Sequence, residues 1–176
     1  FILILKETDL EKGIRTTGKH GLIQVCEYDP KWKEQFEILR DRLLAVLSGL
    51  QCRIEHVGST SVQGLWAKPV IDIDIVLPSF DRLQNTISAL SKLGYSHVGN
   101  LGIEGREAFK HPSPKVKHNL YVCEDGCIAL KNHLFLRDHL LNNDSDKEKY
   151  SQIKRMLAEK YPDDIDSYIE GKTEFI

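Results

Sequence analysis

Eight consecutive residues, Val70-Ile71-Asp72-Ile73-Asp74-Ile75-Val76-Leu77, constrain this chain more than any other segment. Their density of β-branched side chains predicts a strand, and a strand's period of two puts Ile71, Ile73, Ile75 and Leu77 on one face. Asp72 and Asp74 then share the other face. The apolar face demands a covering layer, whereas two acids have little structural use on so apolar a strand. Their Cα atoms lie about 6.6 Å apart, and at an effective dielectric near 20 their charges repel by roughly 2.5 kcal/mol. A divalent cation relieves that repulsion, and hard oxygen ligands with open water positions select Mg²⁺ or Mn²⁺ over zinc. The competing reading is a solvated sheet face, or an ion pair with a neighbour such as Lys68.

The rest of the chain supplies the covering layer. Asp29-Pro30 reads as a helix start, with Asp as N-cap and Pro in the first turn, followed by Trp32, Phe36, Leu39, Leu43, Val46 and Leu47 at steps of three and four. Ile23 to Tyr28 reads as a short strand ahead of it, and Cys52 to Val57 as a strand after it. Pro78-Ser79 opens a second helix that closes at Leu93-Gly94. Tyr95 to Val98, Arg106 to His111 and Lys117 to Cys123 read as strands, the last two separated by Pro112-Ser113-Pro114. The C-terminal part reads as helical: Ile128 to Leu141, then a helix opened by a Ser145/Glu148 capping box, then a short helix around Ile165 to Ile169. Strands alternating with helices and then a helical tail give an α/β or α+β fold with a mixed sheet.

At 176 residues the chain is the size of one domain. We expect residues 22–176 to form that domain and residues 1–21 to be an N-terminal arm or strand. Within the arm, Phe1 to Leu5 is an edge strand, a partner-binding strand or an appended segment. It lacks the basic flank and small-residue cleavage site of a signal peptide. No run reaches the ~20 apolar residues needed to cross a bilayer. With 24 Lys plus Arg against 26 Asp plus Glu, the net charge is −2, which disfavours nucleic-acid binding by bulk charge. Four scattered cysteines do not make a disulfide framework, so a cytoplasmic location is expected. Cys123 and Cys127 bracket an Asp-Gly turn signal and lack the paired short spacing of a structural zinc site.

A second feature is separated from Asp72 by twelve intervening residues. Gly58-Ser59 ends the Cys52–Val57 strand, and a glycine there lets backbone N–H groups approach a phosphate while the serine hydroxyl adds a donor. Lys68, at the mouth of the aspartate strand, is a further phosphate contact or a screen for the acids. Arg106 is a candidate anion clamp or a surface arginine. His56 lines the cleft, orients Ser59 or is a structural histidine. Trp32 and Trp66 read as packing residues, with base stacking by Trp66 the minority alternative. His97, His111, His133 and His139 show no informative spacing.

Together, Val57-Gly58-Ser59 and Asp72-Ile73-Asp74 resemble the signature of the nucleotidyltransferase superfamily. The longer block His56-Val57-Gly58-Ser59-Thr60-Ser61-Val62-Gln63-Gly64-Leu65-Trp66-Ala67-Lys68-Pro69-Val70-Ile71-Asp72-Ile73-Asp74 is similar to the hallmark of its GrpB-like branch. Tyr28 to Trp32, His118 to Val122, Phe135 to His139 and Tyr150 to Leu157 extend the resemblance from about Ile23 to the C terminus. It implies a nucleotidyltransferase-like mixed sheet flanked by helices, with phosphate at Gly58 and Ser59 and Mg²⁺ or Mn²⁺ on Asp72 and Asp74 as the catalytic acids. The implied reaction moves a nucleotidyl group from a nucleoside triphosphate to an unidentified acceptor hydroxyl. Two departures support a different class, a noncatalytic nucleotide- or small-ligand-binding module. Active relatives carry a third carboxylate on a later strand, and Lys117 to Val122 offers none. GrpB-like proteins carry a His-His-Leu-His pattern there, of which only His118 matches, with Asn119 and Tyr121 in the other histidine positions.

Overall fold

The structure is a computed structural model that describes residues 22–173 and 175. The arm expected over residues 1–21 lies outside the described residues. Helix α1 (Lys31–Val46) starts as its sequence predicts: Pro30 is already helical, and the Asp29 carboxylate accepts from Lys31 N–H at 2.9 Å. Its buried stripe is Trp32, Phe36, Leu39 and Leu43. Strands β1 (Arg53–Val57), β2 (Ile71–Leu77), β3 (Ser96–Gly99), β4 (Arg106–Lys110) and β5 (His118–Glu124) form one sheet in the order β1-β2-β5-β4-β3. Only β2 and β5 run parallel, so the sheet is mixed, and with its helices the fold is α+β.

The register assigns the two faces. Ile71, Ile73, Ile75 and Leu77 join Leu120 and Val122 of β5 and Phe109 of β4, packed under α1 and α2 (Leu83–Ser91). On the opposite face Asp72 lies beside Asn119, Asp74 beside Tyr121, and Ala108 and Arg106 continue the row on β4. Helices α3 (Ile128–Asn142), α4 (Asp144–Lys160) and α5 (Ile165–Lys172) follow β5. Leu130 of α3 packs on Val76, Tyr121 and Cys123 of the aspartate face. No helix among the described residues is long and apolar enough to cross a membrane.

Three local expectations change. Among the described residues Ile23 to Tyr28 makes a single bridge, Cys26 to Ala67, in place of the expected strand. The Pro78-Ser79 start first makes a 3₁₀ turn, Phe80–Arg82, with Ser79 capping Asp81 N–H at 3.3 Å before α2 begins. Ser145 does not cap α4. Asn143 stands two residues earlier and its Oδ1 accepts from Asp146 N–H at 3.2 Å, so Ser145 is already helical and Glu148 pairs with Gln152 instead.

Candidate functional site

The turn after β1 is built against the aspartate strand. Val57 is in register with Asp72, and Gly58 follows with φ +69°, a left-handed conformation that favours glycine. A Cβ on Gly58 would collide with the Asp72 carboxylate. The two separate sequence features are therefore in direct contact. The 3₁₀ turn Ser59–Ser61 is then pinned from several sides. Ser61 Oγ donates to Gly58 O at 2.6 Å, and Thr60 Oγ1 donates to Val70 O at 3.2 Å. His56 Nε2 lies 3.1 Å from Thr60 Oγ1, and since that hydroxyl's proton goes to Val70, the imidazole is the donor. His56 thus fixes Thr60, and its ring stacks on Phe36 at 4.5 Å. Burial, helped by Arg137, pushes its pKa down to about 4 and keeps it neutral.

The C-terminal helices close over this turn. The inward stripe of α4 is Tyr150, Ser151, Lys154 and Leu157, so a lysine occupies a core position. Lys154 is 2% exposed and its Nζ donates to Ser59 Oγ at 3.0 Å, while its ammonium lies 4.4 Å from the Tyr150 ring centre. Lys172 of α5, 3% exposed, sits 5.1 Å from the Tyr168 ring, and Lys68 sits 5.2 Å from the same ring. Aromatic faces partly replace the water these ammonium groups lose.

Between these parts lies a cavity of about 480 Å³, within the range of small-molecule sites. Ser59, Lys68, Asp72, Asn119 and Tyr121 line it, as do Lys154 and Lys172. Lys110 and Lys117 add two more lysines to the lining. Among the described residues five lysines and one carboxylate line the cavity, a concentration of positive charge in a chain whose net charge is −2.

The two aspartates diverge. Asp72 lines the cavity, and its Oδ1 accepts from the Asn119 amide at 2.7 Å. Asp74 is completely buried, does not line the cavity, and accepts from His133 Nδ1 of α3 at 2.6 Å. Burial opposes charge on His133, but the Asp74 carboxylate outweighs it and raises the imidazole above its ordinary value. Asp74 Oδ1 has no hydrogen-bond partner among the described residues. No group of three His, Cys, Asp or Glu side chains suited to a metal ion occurs among the described residues. One carboxylate in the cavity and one sealed behind it do not fit the cation bridged by both acids that the motif implies.

The remaining candidates divide. His118 lines the cavity, yet both ring nitrogens are engaged: Nδ1 donates to Val116 O at 2.7 Å and Nε2 takes the Tyr95 hydroxyl at 2.6 Å. Burial holds that phenol up at about 12 and lowers the imidazole. Arg106 is fully buried with its guanidinium 4.4 Å from the Tyr121 ring, and it does not line the cavity. Trp66 faces the Arg155 guanidinium at 4.6 Å and is not a cavity residue either. Arg137 bonds Glu55 at 2.8 Å and Asp138 at 2.7 Å, tying α3 to β1.

Lys154, Lys172 and His133 carry no role in the sequence reading. The signal for two of them is a polar residue at an inward helix position: Lys154 between Tyr150 and Leu157, His133 three residues after Leu130.

Comparison with known proteins agrees with this architecture. A family model described as GrpB protein matches residues 22–176. The UPF0157 protein YqkA of Bacillus subtilis is 34% identical over 154 residues, 88% of this chain, but the chain spans only 45% of YqkA. The crystal structure of the conserved protein GrpB from Enterococcus faecalis superposes with a TM-score of 0.74 at 32% identity, covering 86% of this chain and 96% of that one. Cid1 in complex with the UTP analog UMPNPP matches with a TM-score of 0.53 at 12% identity, over 77% of this chain and 43% of Cid1, a likeness of fold alone. With the glycine-serine turn, the aspartate strand and the helical tail all falling inside the matched span, the chain belongs to the GrpB family.

Proposed function

We propose that this chain binds a nucleotide through its phosphate groups, in a nucleotidyltransferase-like fold formed by residues 22–176, as a ligand-binding module. The observation that carries this reading is Lys154: an almost wholly buried ammonium that reaches Ser59 Oγ at the wall of the cavity. A phosphate oxygen entering beside Ser59 would meet this ammonium in a charge-assisted hydrogen bond. In this reading Gly58 lets the turn lie against Asp72, and Ser59, Lys68, Lys154 and Lys172 contact phosphate. Asn119 holds Asp72, Tyr121 forms the floor, and His56 and His118 act as supports. Free thiols at all four cysteines accord with a cytoplasmic location.

Transfer of a nucleotidyl group to an unidentified acceptor is the second reading, and Asp72 in the cavity favours it. There Asp72 and Asp74 would be the catalytic acids, with Mg²⁺ or Mn²⁺ neutralising charge on the phosphates. Sequestration of Asp74 and the absence of a carboxylate at Asn119 weigh toward binding without transfer.

Thermal-shift titration with ATP, GTP, CTP and UTP, each with and without Mg²⁺ or Mn²⁺, tests the proposal. A ligand specific to the native state raises the melting temperature in a saturable way, and the shift is expected to fall sharply in Ser59→Ala. No shift with any nucleotide, with or without metal, removes the nucleotide reading. Incorporation of labelled nucleotide into any acceptor, dependent on Asp72, would establish the transferase reading instead.

A further inference from the structure

The Asp-x-Asp motif leads to the expectation that a divalent cation brings phosphates into the cavity, and three observations point the other way. First, Asp74 is 0% exposed, outside the cavity lining and hydrogen-bonded to His133 at 2.6 Å. Mg²⁺ gives up its waters reluctantly and keeps several when bound, so a carboxylate sealed from solvent is a poor place for it. Second, Asp72 is the one acid lining the cavity among the described residues, and its Oδ1 is taken by the Asn119 amide at 2.7 Å. Third, Lys68, Lys110, Lys117, Lys154 and Lys172 line the same space, and two of them are 2% and 3% exposed. An unchelated nucleoside triphosphate carries about four negative charges at neutral pH, and bound Mg²⁺ would cancel about half of them before the lysines could act.

We propose that this cavity holds its ligand's phosphate groups by lysine charge alone, so that divalent metal competes for the phosphates instead of assisting their binding. The inference rests on the reading of the cavity as a phosphate site and specifies how that site works. It makes Asp72 a repulsive group toward the ligand, whose place is set by Gly58 and Asn119, and this reverses the expected effect of neutralising it.

The test is isothermal titration of ATP into the full chain at fixed ionic strength, in EDTA and in excess Mg²⁺. Wild type, Asp72→Asn and Lys68→Met are compared, with melting curves confirming that each variant is folded. Binding at least as tight in EDTA as in Mg²⁺ is expected, tightened about 3- to 10-fold by Asp72→Asn and weakened by Lys68→Met. Binding that needs Mg²⁺ and disappears in Asp72→Asn would overturn the inference while leaving the phosphate site standing. Absence of ATP binding in both conditions would overturn the phosphate-site reading itself, and the inference with it.

Discussion

The two faces of the sheet are made from the same strands by different rules. On one face Ile71, Ile73, Ile75 and Leu77 meet α1 and α2 in a continuous apolar core, where any side chain of suitable size and polarity satisfies its neighbours. On the other, beside a smaller apolar cluster of Val76, Ala108, Tyr121, Cys123 and Leu130, polar side chains meet specific partners: Asp72 with Asn119, Asp74 with His133, Ser59 with Lys154. Stability is concentrated on the first face and specificity on the second. The two should therefore respond in opposite ways to substitution.

The largest effect on stability is expected from the apolar face. Ile75→Ala removes a fully buried side chain and should cost about 4 kcal/mol, read as a lowered midpoint in urea, with ligand affinity of the folded fraction unchanged. The Asp74–His133 pair is the exception that sharpens the contrast, because a charge stranded by loss of its partner is expensive in the interior. His133→Leu should cost about 3 kcal/mol, and adding Asp74→Asn should recover part of that loss, a positive coupling measured by a double-mutant cycle.

Next in size is a pH effect centred on His56, whose ring packs on Phe36. Its pKa falls from an ordinary 6.5 to about 4 on folding. A histidine held neutral contributes fully above pH 6.5 and loses that contribution as pH drops toward 4, at most ~3 kcal/mol. Urea midpoints at pH 7, 5.5 and 4.5 should fall more steeply for wild type than for His56→Gln, which keeps a donor for Thr60. Equal slopes would mean that the imidazole is not held neutral. The smallest stability change belongs to the site face: Lys154→Met should alter stability by less than about 1 kcal/mol, since it removes a desolvated charge as well as a hydrogen bond. A large loss of stability in that variant would make Lys154 a structural residue and would erase the contrast between the faces.

The same contrast explains how much was legible in the sequence. A period of two in Val70 to Leu77 and a stripe of three and four in α1 report directly on burial, so the core face and the mixed sheet could be read from residues alone. Proximity of Gly58 to Asp72 was legible as a motif, and its cause is steric: the glycine backbone lies where a Cβ would meet the carboxylate. Periodicity fixes the face of a side chain but not its partner. Asp72 and Asp74 share a face as expected, yet one opens on the cavity and the other turns to His133 on a helix 59 residues downstream. Lys154 meets Ser59 across 95 residues of chain, a contact set by how α4 packs and invisible to local pattern. The misplaced cap at Ser145 has a smaller origin, since Asn143 and Ser145 are both good caps and the chain uses the earlier one.

The most direct measurement is isothermal titration of ATP into wild type and Lys154→Met at matched ionic strength, after melting curves have shown both to be folded. Saturable one-site binding in wild type that weakens at least tenfold in Lys154→Met is predicted if the buried Lys154 ammonium contacts phosphate beside Ser59. Equal affinity in the two proteins, or no binding in either, would contradict it.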